Sequence, residues 1–260
     1  MISDIYSVSY APGSSGEFIR TMITYMLLGE NHDIDFEDGS SHSYSNAYIS
    51  NRYHLPLHGY IPYKGDRFKT IYEMATEEDC PIVIAGNLDY LNLELYTRFE
   101  NSKHVLITVD IDDALVTTAN HYYKNPFFRK RAHTQYYDTY LKYSVAGLLP
   151  KGLESVEQLS SEQLLMLLEL RGKDDLPSYI TNSNEIITTW PTDQLAKLFV
   201  INFKDIVSNP DLVIGILEQA TGISASTAAK TQYDRYVTRQ LSFRKEYIFD
   251  MKRKQDEPTI

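Results

Sequence analysis

Cysteine occurs once, at Cys80. No disulfide can therefore form within the chain, and a cysteine-based structural zinc site is not expected. A cytoplasmic or other reducing compartment fits this usage. No apolar run approaches the ~20 residues needed to span a bilayer. No basic stretch followed by an apolar one stands at the N-terminus, so neither a membrane span nor a signal peptide is expected. Basic residues are in the minority, 25 Lys and Arg against 35 Asp and Glu, for a net charge of −10. Such a surface repels polyphosphate, which argues against nucleic acid as a partner. An anionic small ligand would need a local basic pocket. Arg129-Lys130-Arg131 and the group Arg235, Arg239, Arg244 and Lys245 are the candidates, a solvated helix face being the competing reading. Internal repeats and low-complexity tracts are absent.

What the chain does have is apolar content of 43% over 260 residues, enough to bury a core in one large domain or two small ones. It also has 21 tyrosines, expected mostly as half-buried packing residues. Its most informative stretch is the start. Ile5, Tyr6, Val8 and Tyr10 form a β-type run, Pro12-Gly13-Ser14-Ser15-Gly16 breaks it, and Glu17 to Leu28 carries Phe18, Ile19, Met22, Ile23, Met26 and Leu27 at helical spacing. A small-residue loop feeding a helix directs free backbone N–H groups and the positive end of the helix dipole at one spot, an anion site to which Ser14 and Ser15 can add hydroxyls. A plain turn whose serine caps the helix explains the same residues.

Further along, Pro81–Ala85, Lys103–Val109 and Leu198–Phe203 read as strands, expected beside Ile5–Tyr10 in one mostly parallel sheet. Helices are expected over Asp66–Thr76, Asp89–Phe99, Asp112–Lys124 (capped by Asp112 or Asp113), Phe127–Val145 and Ser161–Leu170. Asp205 introduces a turn, Pro210 opens a helix that ends at Gly222, and Ser224 or Ser226 opens a last helix to about Lys254. Alternation of strands and helices predicts an α/β sheet with ligands at the carboxyl ends of its strands.

Several segments together resemble the sulfotransferase family, P-loop NTPase-like α/β proteins that use 3′-phosphoadenosine-5′-phosphosulfate (PAPS). Tyr10-Ala11-Pro12-Gly13-Ser14-Ser15-Gly16-Glu17-Phe18 is similar to the family's loop for the cofactor's 5′-phosphate and sulfonate, usually Tyr-Pro-Lys-Ser-Gly-Thr-Thr-Trp. Tyr53-His54-Leu55-Pro56 resembles a Thr-His-Leu-Pro segment. The run Glu100 to Val109, with the helix that follows, resembles the strand and helix of the 3′-phosphate site. Val200 to Pro210, followed by a helix ending in Thr221-Gly222, is similar to a further family element. Thr117 or Thr118 stands where the family has a serine, and two further positions depart from the pattern. The loop lysine has no equivalent, and Asp110 stands where an arginine grips the 3′-phosphate.

The resemblance implies a single domain over 1–260, a three-layer sandwich around a mostly parallel sheet, with a helical excursion over 126–185. It implies PAPS as cofactor, no metal, and a hydroxyl of a small molecule or glycan as acceptor. Sulfonyl transfer needs donors on the non-bridging oxygens, a cation at the leaving phosphate and a base for the hydroxyl. Gly13, Ser14, Ser15, Gly16 and Glu17 are the loop candidates; Thr117 and Thr118, helped by Arg129 and Arg131, the 3′-phosphate candidates. Arg20, Lys124 or Arg129 is the candidate cation, and His54 or His58 the candidate base. Two other readings stand beside this one. Val105 to Asp110 has the form of a strand ending in a metal-holding Asp, with Asp112 and Asp113 near it, as in a Mg²⁺-dependent phosphotransferase, although no Walker lysine follows Gly16. Alternatively, the fold serves as a non-catalytic binding or assembly protein, with the C-terminal helix (Tyr236, Leu241, Phe243, Tyr247, Phe249) as a homo-oligomer contact or as core packing.

Overall fold

The structure, a computed structural model, describes residues 4–11, 13–28, 82–87, 101–124, 146–149, 159–169, 177, 180, 185 and 187–243. Four strands, β1 (Ile5–Tyr10), β2 (Ile82–Asn87), β3 (Ser102–Thr108) and β4 (Leu198–Asn202), form one sheet in the order β2-β1-β3-β4. All three pairings are parallel. The fold is therefore α/β, with the four expected runs side by side.

β1 has a neighbour on each edge and is buried along its first five residues, as expected of a parallel strand covered on both faces. Two serines interrupt it. Ser7 pairs in register with His104 of β3, and its hydroxyl lies 2.8 Å from His104 Nδ1. The His104 ring is fully buried and stacks on Trp190, with centroids 5.6 Å apart. Burial pushes the His104 pKa down from 6.5 to about 3, a hydrogen bond with Ser7 opposing the shift.

Element boundaries differ from the expected ones for local reasons. β2 starts after Pro81, which has no N–H for the ladder. The turn expected at Asp205 is a helix, α4 (Phe203–Ser208), because Asn202 Oδ1 accepts from the Lys204 amide at 3.0 Å and caps it. Helix α1 (Gly16–Leu28) opens one residue earlier than its apolar spacing suggests, and α2 (Ile111–Lys124) closes its first turn on Asp110, whose carbonyl accepts from Ala114 N, rather than on Asp112 or Asp113. Helix α3 (Ser161–Glu169) follows a reciprocal cap: the Gln163 amide donates to Ser160 Oγ and the Ser160 amide to Gln163 Oε1. Pro210 is the first residue of α5 (Pro210–Thr221), which ends at left-handed Gly222 (φ 72°). Helix α6 (Thr227–Phe243) starts on Ser226, whose hydroxyl accepts from Ala229 N.

Helix α1 packs on β1 and β2, α5 on β3 and β4, and α1 meets both α5 and α6. The α6 side chains of Tyr233 and Tyr236 join the core, so that face of the C-terminal helix is spent on its own chain; Tyr247 and Phe249 lie outside the described residues. The helices expected over Asp66–Thr76, Asp89–Phe99 and Phe127–Val145 also lie outside them, as does most of the expected excursion, of which α3 and the helical residues Pro177, Ile180 and Glu185 are described. Among the described residues, no helix is long and apolar enough to cross a membrane.

Candidate functional site

The chain steps from β1 to β2 on one side and then to β3 on the other, so the sheet reverses direction at β1. The crevice outside the carboxyl end of such a strand is where open α/β sheets take ligands. The segment between Tyr10 and Gly16 lies there.

Its backbone is tightly wound. Gly13 has φ 83° and Ser15 φ 66°, a left-handed conformation that a non-glycine residue adopts at a cost. Ser14 faces inward: it is fully buried, and both its amide (3.0 Å) and its hydroxyl (2.6 Å) donate to the Ala11 carbonyl. Ser14 thus leaves the set of ligand donors. The first α1 bond runs from the Ile19 amide to the Ser15 carbonyl at 3.1 Å. The amides of Gly16, Glu17 and Phe18 come before it and have no intrahelical acceptor. Among the described residues of this turn, Gly13 and Ser15 are partly exposed.

A buried polar network closes over the first turn of α1. Tyr10 donates its phenol to Glu17 Oε1 at 2.7 Å, and Glu17 Oε2 lies 2.7 Å from Arg20 Nη2. Glu17 is 5% exposed and Arg20 1%. Burial, then the Glu17 charge, raises the Tyr10 pKa well above 10. The Tyr10 ring lies against Gly16 so closely that a Cβ there would overlap it. Arg20 Nε has no hydrogen-bond partner among the described residues. Arg20, a candidate cation, is thus an internal residue that reaches back toward the helix start. Glu17, a loop candidate, contributes an acidic side chain as well as an amide.

The 3′-phosphate candidates are placed differently. Thr118 is fully buried inside α2, and Thr117 donates its hydroxyl to the Ala114 carbonyl at 3.2 Å. Asp110 stands just past β3, where Lys204 Nζ lies 3.0 Å from Asp110 Oδ2 and 2.9 Å from Asp113 Oδ2. These bonds raise the Lys204 pKa, Asp113 contributing most. His54, His58, Arg129 and Arg131 lie outside the described residues. Among the described residues no three of His, Cys, Asp and Glu gather as a metal-binding group.

The sequence reading missed Tyr10 as a partner of the loop, Lys204, and Tyr236, whose phenol donates to Ser15 Oγ at 2.7 Å. Lys204 is placed by strand register, which the sequence does not show. Thr108 pairs with Asn202, so the residues two further on, Asp110 and Lys204, leave neighbouring strands at the same level. Tyr236 had no signal either, being 221 residues from Ser15.

For PAPS, the loop fits the phosphosulfate end in part. Three helix-start amides and a buried guanidinium are present, but a carboxylate sits among them. The 3′-phosphate end does not fit the described residues, because Asp110 is acidic and the two threonines are turned to their own helix or buried. Comparison with protein-family models gives no match, and neither does comparison with curated proteins.

Proposed function

We propose that the protein is a sulfotransferase-type α/β protein, a three-layer, P-loop-like fold, that holds the 5′ end of PAPS at the loop Gly13–Glu17 and serves transfer of its sulfonate to a hydroxyl of a small molecule or glycan. The observation that carries the reading is the loop at the carboxyl end of β1, at the sheet's reversal point, leading directly into the open amides of α1 with Arg20 one turn behind. Bound PAPS would supply an activated sulfonate for the acceptor hydroxyl, for whose proton His54 and His58 remain the proposed bases. Arg20 is proposed to offset charge on the leaving phosphate. Arg129 and Arg131 are proposed to take the 3′-phosphate in place of the family's arginine. The test is a calorimetric comparison of 3′,5′-adenosine bisphosphate with 5′-AMP. Tighter binding of the bisphosphate, lost in Arg129→Ala or Arg131→Ala, is the expected result. Equal binding, or none, contradicts PAPS as the ligand.

A second reading, a binding or assembly protein without turnover, is favoured by the Glu17–Arg20 pair, which holds the described cation nearest the loop on an internal carboxylate. Its signature is bisphosphate binding with no release of sulfate or sulfated product from PAPS. The Mg²⁺-phosphotransferase reading loses support from Lys204, whose ammonium already engages Asp110 and Asp113.

A further inference from the structure

Ser15 is the one loop hydroxyl that remains at the surface of the candidate site, since Ser14 is committed to Ala11. Its state is set from the far end of the chain. Tyr236, on α6 and 2% exposed, donates its phenol to Ser15 Oγ at 2.7 Å. A phenol is the stronger acid of the two, so it is the natural donor of the pair. A serine oxygen that accepts from a neighbour must aim its own hydrogen elsewhere, and no described residue accepts it.

The phenol is held on target by its ring. Tyr236 stacks face to face on Phe18, with centroids 3.6 Å apart and planes within 4°. Phe18 is in turn met edge-on by Tyr233 at 5.0 Å, and Tyr233 donates to the Ile206 carbonyl at 2.9 Å. Phe18 is itself one of the residues whose amide is open at the helix start. An independent sign of a ligand comes from Arg20. Its guanidinium, almost wholly buried, lies against Glu17 in the first turn of α1, and its Nε has no hydrogen-bond partner among the described residues.

We infer that Tyr236 is a positioning residue: by donating to Ser15 Oγ it orients the Ser15 hydroxyl proton toward a phosphate or sulfonate oxygen bound at the start of α1. The inference rests on the proposed loop site. It adds that α6 takes part in ligand binding, through a hydrogen bond rather than through contact with the ligand.

The test uses the full chain and 3′,5′-adenosine bisphosphate as probe, with dissociation constants from calorimetry and melting temperatures recorded beside them. Tyr236→Phe keeps the ring on Phe18 and removes the phenol that donates to Ser15. It is expected to weaken binding about tenfold, the worth of one hydrogen bond to a charged group. Ser15→Ala should weaken it equally, and the double variant should be no worse than either single one. Ser15→Gly separates binding from folding. Glycine suits φ 66°, so this variant should melt higher than Ser15→Ala yet bind as weakly. Unchanged affinity in Tyr236→Phe, or the same loss from it in the Ser15→Ala background, overturns the inference and leaves the loop site standing. A wild type that binds no bisphosphate overturns the loop site itself, and the inference with it.

Discussion

Tyr10 and Glu17 are joined by a 2.7 Å hydrogen bond, phenol to carboxylate, that ties the last residue of β1 to the first turn of α1. The bond is partly buried, and the same carboxylate faces Arg20. The loop between the two residues is therefore braced by side chains as well as by its backbone. Tyr10→Phe removes one donor from a buried acceptor and should lower stability by about 1–3 kcal/mol. Glu17→Gln leaves the buried guanidinium without its counter-charge and should cost more, about 3–5 kcal/mol. Urea unfolding of both variants checks the order. A Glu17→Gln protein as stable as Tyr10→Phe would mean that Arg20 is not held by this pair.

Gly16 is required by its neighbour rather than by its own backbone. A methyl group there would overlap the Tyr10 ring, so Gly16→Ala should destabilise by about 1–3 kcal/mol. In a Tyr10→Ala background the overlap is gone, and alanine at a helix start is the better residue by about 0.5–1 kcal/mol. The sign of the Gly16→Ala effect should therefore reverse. Two additive losses would contradict contact between the Tyr10 ring and Gly16.

His104 makes stability depend on pH. In the folded chain it stays neutral down to about pH 3, whereas its unfolded value is 6.5. Between these values the unfolded state binds the extra proton, so its contribution is complete above pH 6.5 and is lost as pH falls toward 3. The steepest loss is about 1.4 kcal/mol per pH unit. Urea midpoints of the wild type and His104→Asn, at about pH 7 and about pH 5, isolate this term from the carboxylates. The variant should start less stable and lose less. Equal losses would show that His104 does not titrate on unfolding.

The sheet was legible because its strands are short apolar runs bounded by turn residues, and Pro210 and Gly222 marked the ends of α5 because each has a fixed backbone preference. The donors of the loop were less so. Ser14 and Ser15 look alike in sequence, yet one turns to Ala11 and the other meets Tyr236, a difference set by the fold around them. Asp110 reads as a lost arginine site, while its partner Lys204 emerges only from the register of β3 on β4. The Ser7–His104 pair is likewise a consequence of register: neither residue stands out in a strand, and only pairing brings the two polar groups together.

The central claim is that a ligand's anionic end sits on the open amides of α1. Backbone ¹H–¹⁵N spectra recorded during titration with 3′,5′-adenosine bisphosphate test it most directly. The account predicts downfield shifts of the Gly16, Glu17 and Phe18 amide protons that saturate together, with the Ser14 amide, already bonded to Ala11, moving least. Saturable shifts elsewhere with these three amides unmoved, or no shifts at all, would contradict it.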